Sequence, residues 1–276
     1  MDAADRLRQR FAAVVAAPDI DLGEAALLIG AEEDPDVDVD AELGTLDALA
    51  AAVAPRLAGF RRVRERLDLL LAYLARELGF RGNESDYYDV RNSLLHAVLR
   101  RRVGLPITLT VVLIEVARRV DLRVAGVGLP AHFIAVAEDL PDTYIDMFHG
   151  GRLLGESECR TLLRHKTDGS VAFEPAMLRP VTSRQILLRM LHNLKGVHGQ
   201  RDEPERVIAD CDRILLIAPD QADAYRERGA VHFQRRAFRA AAEDFNNYLR
   251  LAPDADDRHL IAARAASARA KARQAN

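Results

Sequence analysis

A histidine and an aspartate are the two side chains of this sequence best placed to do chemistry together. His132 lies in the string GLPAHF and Asp146 in the string YIDMF, with the turn-forming pair Pro141-Asp142 between them. An imidazole can accept and return a proton near neutral pH, and a neighbouring carboxylate can orient the ring for that transfer. The pair is therefore a candidate proton-transfer site, although a His-Asp hydrogen bond can also be purely structural.

The pairing of these side chains depends on a hairpin. Alternating apolar residues predict three strands, over 124–127, 132–136 and 144–148. A hairpin centred at Asp139 would place His132 directly opposite Asp146, where facing Cβ atoms are about 5 Å apart. A slip of one residue would turn the two side chains to opposite faces, so the pair depends on the register.

Helices are expected on both sides of this strand region. Before about Phe80, apolar residues recur at helical spacing in three stripes, which predicts three to five helices. A core helix is predicted to begin at Pro106, because proline at the first helical position loses no needed hydrogen bond. From Ser183 onward the pattern is helical again. These patterns predict an α+β fold with a helical N-terminal region and a small antiparallel sheet.

The C-terminal third contains an internal repeat. The string Ala218-Pro219-Asp220 returns 34 residues later as Ala252-Pro253-Asp254, with two helical patterns between the copies. This interval is the period of the tetratricopeptide repeat, whose stacked helix-turn-helix units commonly hold another polypeptide. We therefore expect a protein or peptide partner on this region.

Composition argues against several other classes of partner. The net charge is only -3, so the chain has no overall electrostatic field that would favour binding to nucleic acid or to an anionic membrane. The N-terminal residues lack the order of a signal peptide, and no apolar run reaches the ~20 residues of a membrane span. Cys159 and Cys211 form no metal or redox motif. A cytoplasmic protein is expected.

An acidic stretch resembles a calcium loop only superficially. Asp36, Asp38 and Asp40 alternate with apolar residues, but an EF-hand would need glycine at Ala41 and a bidentate glutamate at Asp47. The stretch is better interpreted as a loop between helices. No metal and no cofactor are expected.

The sequence resembles the SirB family, bacterial transglutaminase-like proteins that carry a C-terminal tetratricopeptide tail. With the helical N-terminal region and the repeats, the resemblance covers nearly the whole chain. The matching strings keep their order along the sequence: GN, YYD with RNS, RRRVGLPITL, GLPAHF and YIDMFHGG.

The resemblance assigns roles to particular residues. His132 corresponds to the strand histidine of the family and Asp146 to its partner acid. Counting along the core helix places the nucleophilic cysteine of transglutaminases at Pro106 or Ile107, neither of which can attack a carbonyl. Thiol chemistry at that seat is therefore excluded.

Other residues near the pair are candidates for secondary roles. Thr108 is the nearest hydroxyl to the vacant seat, and Asn92 and His96 are candidates to line the same cleft, with a helix cap and a surface residue as their alternatives. His149, where the family often has asparagine, is expected only to loosen the loop geometry.

The favoured function is that of a pseudoenzyme, a non-catalytic adaptor or regulatory protein. It would have an N-terminal helical region over 1–80, a transglutaminase-like core over 81–182 and tetratricopeptide repeats with a capping helix over 183–276. The alternative is a hydrolase or acyltransferase in which His132, oriented by Asp146, activates water or a substrate amine. A third possibility is regulatory binding of a small molecule or peptide in the remnant cleft.

Overall fold

The computed structural model describes residues 3–274. Their contacts divide the chain between Met190 and Leu191 into two compact units. The three-part division expected from the sequence stays a prediction. Among the described residues, none of the helices has the length and hydrophobicity of a membrane-spanning segment.

The N-terminal unit begins with helices. Their bounds are Ala3–Ala16 (α1), Leu22–Glu33 (α2), Val39–Leu57 (α3) and Val63–Leu71 (α4). A π-helical turn over Ala72–Glu77 continues α4. The Asp38 carboxylate caps α3 by accepting hydrogen bonds from the backbone N–H groups of Asp40 and Ala41, at 3.0 and 3.1 Å. The alternating aspartates thus include a helix cap.

Two further helices form the centre of this unit. They span Leu95–Arg101 (α5) and Pro106–Arg119 (α6). The apolar stripe of α6 is buried, and Leu109, Val112, Leu113 and Val116 have no exposed surface. Burial on most of its circumference makes α6 the core helix that the sequence pattern predicts.

A four-stranded antiparallel sheet follows, next to a short parallel pair of strands. The bounds are Arg81–Gly82 (β1), Val103–Gly104 (β2), Val124–Val127 (β3), Ile134–Ala137 (β4), Tyr144–Asp146 (β5) and Arg152–Leu154 (β6). Strands β3 to β6 pair in chain order, and β1 pairs with β2.

The register of the β4–β5 hairpin differs from the predicted one. Ala135 pairs with Ile145, and Val136 pairs with Tyr144, so the true register is shifted by two residues. His132 lies just before β4 and not in a strand. A shift of two residues preserves the face of every side chain, because side chains alternate with a period of two.

The remaining helices complete the two units. They span Glu156–Lys166 (α7), Ser183–Gln200 (α8), Pro204–Ile217 (α9), Ala222–Gln234 (α10), Phe238–Leu251 (α11) and Arg258–Gln274 (α12). The two copies of the Ala-Pro-Asp string lie in the loops after α9 and α11. At Gly229 of α10, an added Cβ would lie 3.0 Å from both the Asp244 Cβ and the Phe245 ring, so this glycine permits close packing of α10 on α11. The fold is α+β, as predicted.

Candidate functional site

His132 is held at the entrance of β4 by its backbone. Its N–H donates to the Leu129 carbonyl at 3.2 Å. The Arg189 guanidinium donates to the carbonyls of both Leu129 and His132 at 2.8 Å. The preceding residue, Ala131, adopts a left-handed conformation with φ of 57°. This tight turn fixes the direction in which the imidazole leaves the chain.

Asp146 lies at the end of β5, where the chain turns sharply. Its Oδ1 accepts hydrogen bonds from the backbone N–H groups of Phe148 and His149 at 3.0 and 3.3 Å. The turn closes through Gly150 and Gly151, both with φ of 73°, which favours glycine. The carboxylate is therefore anchored by its own loop, and its second oxygen is free for side chains.

The two predicted residues meet. His132 Nε2 lies 3.1 Å from Asp146 Oδ2. Both side chains are buried, with 1% and 2% of their surface exposed. His132 Nδ1 is also buried and has no hydrogen-bond partner within the part of the chain that the structure describes. The acid therefore orients the imidazole and leaves its other nitrogen unengaged, as a general base requires.

A third residue, His149, belongs to this cluster, although the sequence pattern predicts no role for it in the site. His149 Nδ1 lies 2.6 Å from the same oxygen, Asp146 Oδ2, and 37% of the His149 side chain is exposed. The only signal in the sequence was its position three residues after Asp146, before the paired glycines. Strand alternation does not extend into this turn, so the pattern could not place the ring.

The two imidazoles determine the charge of the carboxylate. Burial alone would raise the pKa of Asp146, but the hydrogen bonds and charges of His132 and His149 outweigh it and hold the pKa below its ordinary value. Asp146 is therefore an ionised acceptor at neutral pH.

The resemblance would place the transglutaminase nucleophile at the N-terminus of α6. Pro106 occupies the first helical position and Ile107 is buried beside it. The hydroxyl of Thr108 is fully buried and donates to a backbone carbonyl, that of Asn92 at 2.7 Å or that of Leu105 at 3.1 Å. Both contacts are with backbone carbonyls and not with His132, so the hydroxyl is engaged elsewhere.

Asn92 and His96 take part in other contacts. The Asn92 amide donates to the Asp86 carbonyl at 2.7 Å and accepts from the Asn83 amide at 3.0 Å, so it organises the polar loop before it. His96 lies against Gly30 of α2. Burial, followed by the charge of Arg100, lowers the pKa of His96. Asn92 supports one wall of a cleft, whereas His96 faces the helical layer.

The exposed edge of the cluster opens onto a polar cleft of ≈ 670 Å³. Its lining includes Asn83, Asp89, Arg101, Phe148 and His149. His149 is thus the member of the cluster that a molecule in solution can reach.

Neither sulfur atom belongs to this site. Cys159 and Cys211 are fully buried. Burial raises the pKa of each thiol to about 12, which keeps both in the unreactive protonated form.

Comparison with known proteins supports the two-part architecture. Residues 40–192 match the transglutaminase-like superfamily, and residues 194–266 match the tetratricopeptide repeat. A UPF0162 protein of Xylella fastidiosa is 34% identical over 244 residues, which cover 87% of each chain. A UPF0162 protein of Pseudomonas aeruginosa is 30% identical over 84% of this chain and 85% of its own. F-box only protein 21 of Mus musculus is 30% identical over 60% of this chain and 28% of its own.

Proposed function

The chain belongs to the transglutaminase-like superfamily, and we propose that it is an adaptor that has lost thiol chemistry and holds a protein or peptide partner on its tetratricopeptide region. The same proposal includes membership of the SirB family, a cytoplasmic location and the domain boundaries 1–80, 81–182 and 183–276. They rest on the strings and patterns in the sequence.

The observation that carries the proposal is the N-terminus of α6. A thiol nucleophile gains its reactivity from the amides and dipole at such a helix end. Here the first position carries Pro106, which has no reactive group. The nearest hydroxyl, on Thr108, is committed to a backbone carbonyl. Burial of His132 and Asp146 further separates the retained pair from any substrate in solution.

The repeat unit offers a surface for a partner. An open depression of ≈ 500 Å³ is lined by Arg236, Phe238, Arg239 and Glu243. The ammonium of Lys271 lies over the Phe238 ring, 5.3 Å from its centroid. Cations around an aromatic ring suit a peptide that carries acidic and apolar side chains.

The full-length protein can be purified from its native cells after chemical crosslinking, and the crosslinks mapped. We expect partner crosslinks within residues 194–266, and their loss in an Arg236→Glu, Arg239→Glu double variant. Arg164→Glu, an exposed arginine in the N-terminal unit, is the matched control and should leave them unchanged. Equal crosslinking of the double variant and the wild type would contradict the proposal.

A second candidate function is supported by the unengaged nitrogen of His132. An imidazole oriented through Nε2 by Asp146, with no partner on Nδ1 among the described residues, is arranged as a general base. Such a base contributes about 10²–10⁴-fold to a rate without any nucleophile. Ester and glutamine-amide substrates can be assayed with the full chain. Turnover that falls by this factor in His132→Gln, with the folded fraction unchanged, would favour the hydrolase or acyltransferase.

A further inference from the structure

We propose that His132, Asp146 and His149 form a binding site for a divalent transition-metal ion such as Zn²⁺. This site lies outside the repeat surface of the proposed adaptor function. An experiment can therefore disprove metal binding without affecting the proposed partner binding, and it can disprove partner binding without affecting metal binding.

Three ligand atoms converge in this cluster. One atom from each side chain lies within 4.8 Å of the others. His132 Nε2 and His149 Nδ1 both point at Asp146 Oδ2, at 3.1 and 2.6 Å. Ligand atoms around a tetrahedral zinc ion are about 3.4 Å apart, given metal–ligand bonds of about 2.0–2.1 Å. A modest outward movement of the half-exposed His149 ring would open the required space.

The chemistry of the ligands selects the kind of metal. Two imidazoles and one carboxylate suit Zn²⁺ and its neighbours in the transition series, whereas Ca²⁺ and Mg²⁺ prefer oxygen ligands throughout. Three protein ligands leave a fourth position for water or a ligand in the cleft. His149 lines that cleft, which supplies an entry path for the ion.

Asp146 and the backbone of His132 are held in place before any metal arrives. Asp146 and His149 share one turn, and two backbone N–H groups hold Asp146 Oδ1 while Oδ2 faces the imidazoles. Arg189 fixes the backbone of His132 through its carbonyl. Metal sites require this support from surrounding groups, because loosely held ligands bind weakly.

Metal binding would exchange the His132–Asp146 hydrogen bond for a metal–ligand bond. A metal on Nε2 would move the ring proton to Nδ1. That atom has no partner among the described residues in either tautomer, so the exchange gives up no hydrogen bond there.

The test uses the full-length protein stripped with a chelator. Calorimetric titration with Zn²⁺ should give one ion per chain, and Co²⁺ should give the intense visible absorption of a tetrahedral site. His149→Asn keeps a side-chain donor for Asp146 but removes a metal ligand. We expect this variant to bind Zn²⁺ at least about 100-fold more weakly, because removal of groups that only support a ligand already costs about 10–100-fold.

The matched control is His165→Ala, which removes an exposed histidine of the same unit outside the cluster. It should bind Zn²⁺ with unchanged affinity. Circular dichroism confirms that each variant is folded. The proposal is overturned if the wild type shows no saturable binding of one ion, or if His149→Asn and His165→Ala bind equally tightly.

Discussion

Asp146 is the residue on which the site depends, because its two oxygens have different tasks. One oxygen accepts two backbone N–H groups of the following turn, and the other accepts from His132 and His149. A buried carboxylate is stable only with such a set of donors. The same donors that stabilise the fold also orient the rings.

Asp146→Asn tests this dual role. We expect the free energy of unfolding to fall by about 2–3 kcal/mol at pH 7, because the charged hydrogen bonds are lost. The folded-state pKa of Asp146 is lowered, so its ionised form stabilises the fold above the unfolded pKa near 3.9. That contribution disappears as the pH falls from about 4 through the folded-state pKa.

Urea denaturation from pH 7 to pH 3 measures this effect. The difference between the wild type and the variant should shrink at the acidic end. A difference that is independent of pH would show that the carboxylate charge does not contribute.

At the scale of elements, the hairpin shows how far the sequence could predict the site. Alternation places His132 and Asp146 on one face of the predicted hairpin, and the two side chains meet, although His132 lies in the turn before β4. The register depends on the geometry of the turn, which alternation of apolar residues does not reveal. The predicted register therefore differs from the observed one by two residues. His149 lies beyond the strand, where no periodic pattern applies. Its contact with Asp146 follows from the turn alone.

Ala131 is a strained point of the turn before β4. Its φ of 57° is disfavoured for a residue with a Cβ, so Ala131→Gly should raise the free energy of unfolding by about 0.5–1 kcal/mol. Urea denaturation provides the measurement. The control, Ala135→Gly within β4, should lower it. Destabilisation by Ala131→Gly would mean that the turn is not strained.

The cap of α3 provides a second prediction for an element. Asp38→Ala removes the acceptor for two backbone N–H groups and should lower the free energy of unfolding by about 1 kcal/mol. Asp36→Ala, at an exposed neighbouring position, should change it by less than about 0.5 kcal/mol. Added Ca²⁺ should not alter the melting temperature of either protein. A calcium-dependent shift that Asp38→Ala abolishes would restore the calcium-loop interpretation.

At the scale of the whole molecule, the chain carries two separable candidate sites. The His-Asp-His cluster lies in the unit that ends at Met190, and the repeat surface lies in the unit that begins at Leu191. The 34-residue period predicted the repeat architecture from sequence, because stacked units repeat their contacts at a fixed interval. The partner itself depends on surface side chains that have no such period.

Gly229→Val tests whether the two sites function independently. The added side chain would meet Asp244 and Phe245 of α11, so the repeat helices should lose about 1–3 kcal/mol of stability. Partner crosslinking should weaken, whereas Zn²⁺ affinity should match the wild type. Limited proteolysis and calorimetry measure the two effects. Equal loss of both activities would show that the sites are coupled.

The burial of both native sulfur atoms has a practical consequence. A maleimide dye should leave the folded protein unlabelled, because neither thiol is accessible or ionised. A single cysteine introduced on the surface would then be the position at which a probe is attached. Fluorophores or spin labels placed in this way on α11 or near the cleft could map where a bound partner lies, without first removing any natural residue.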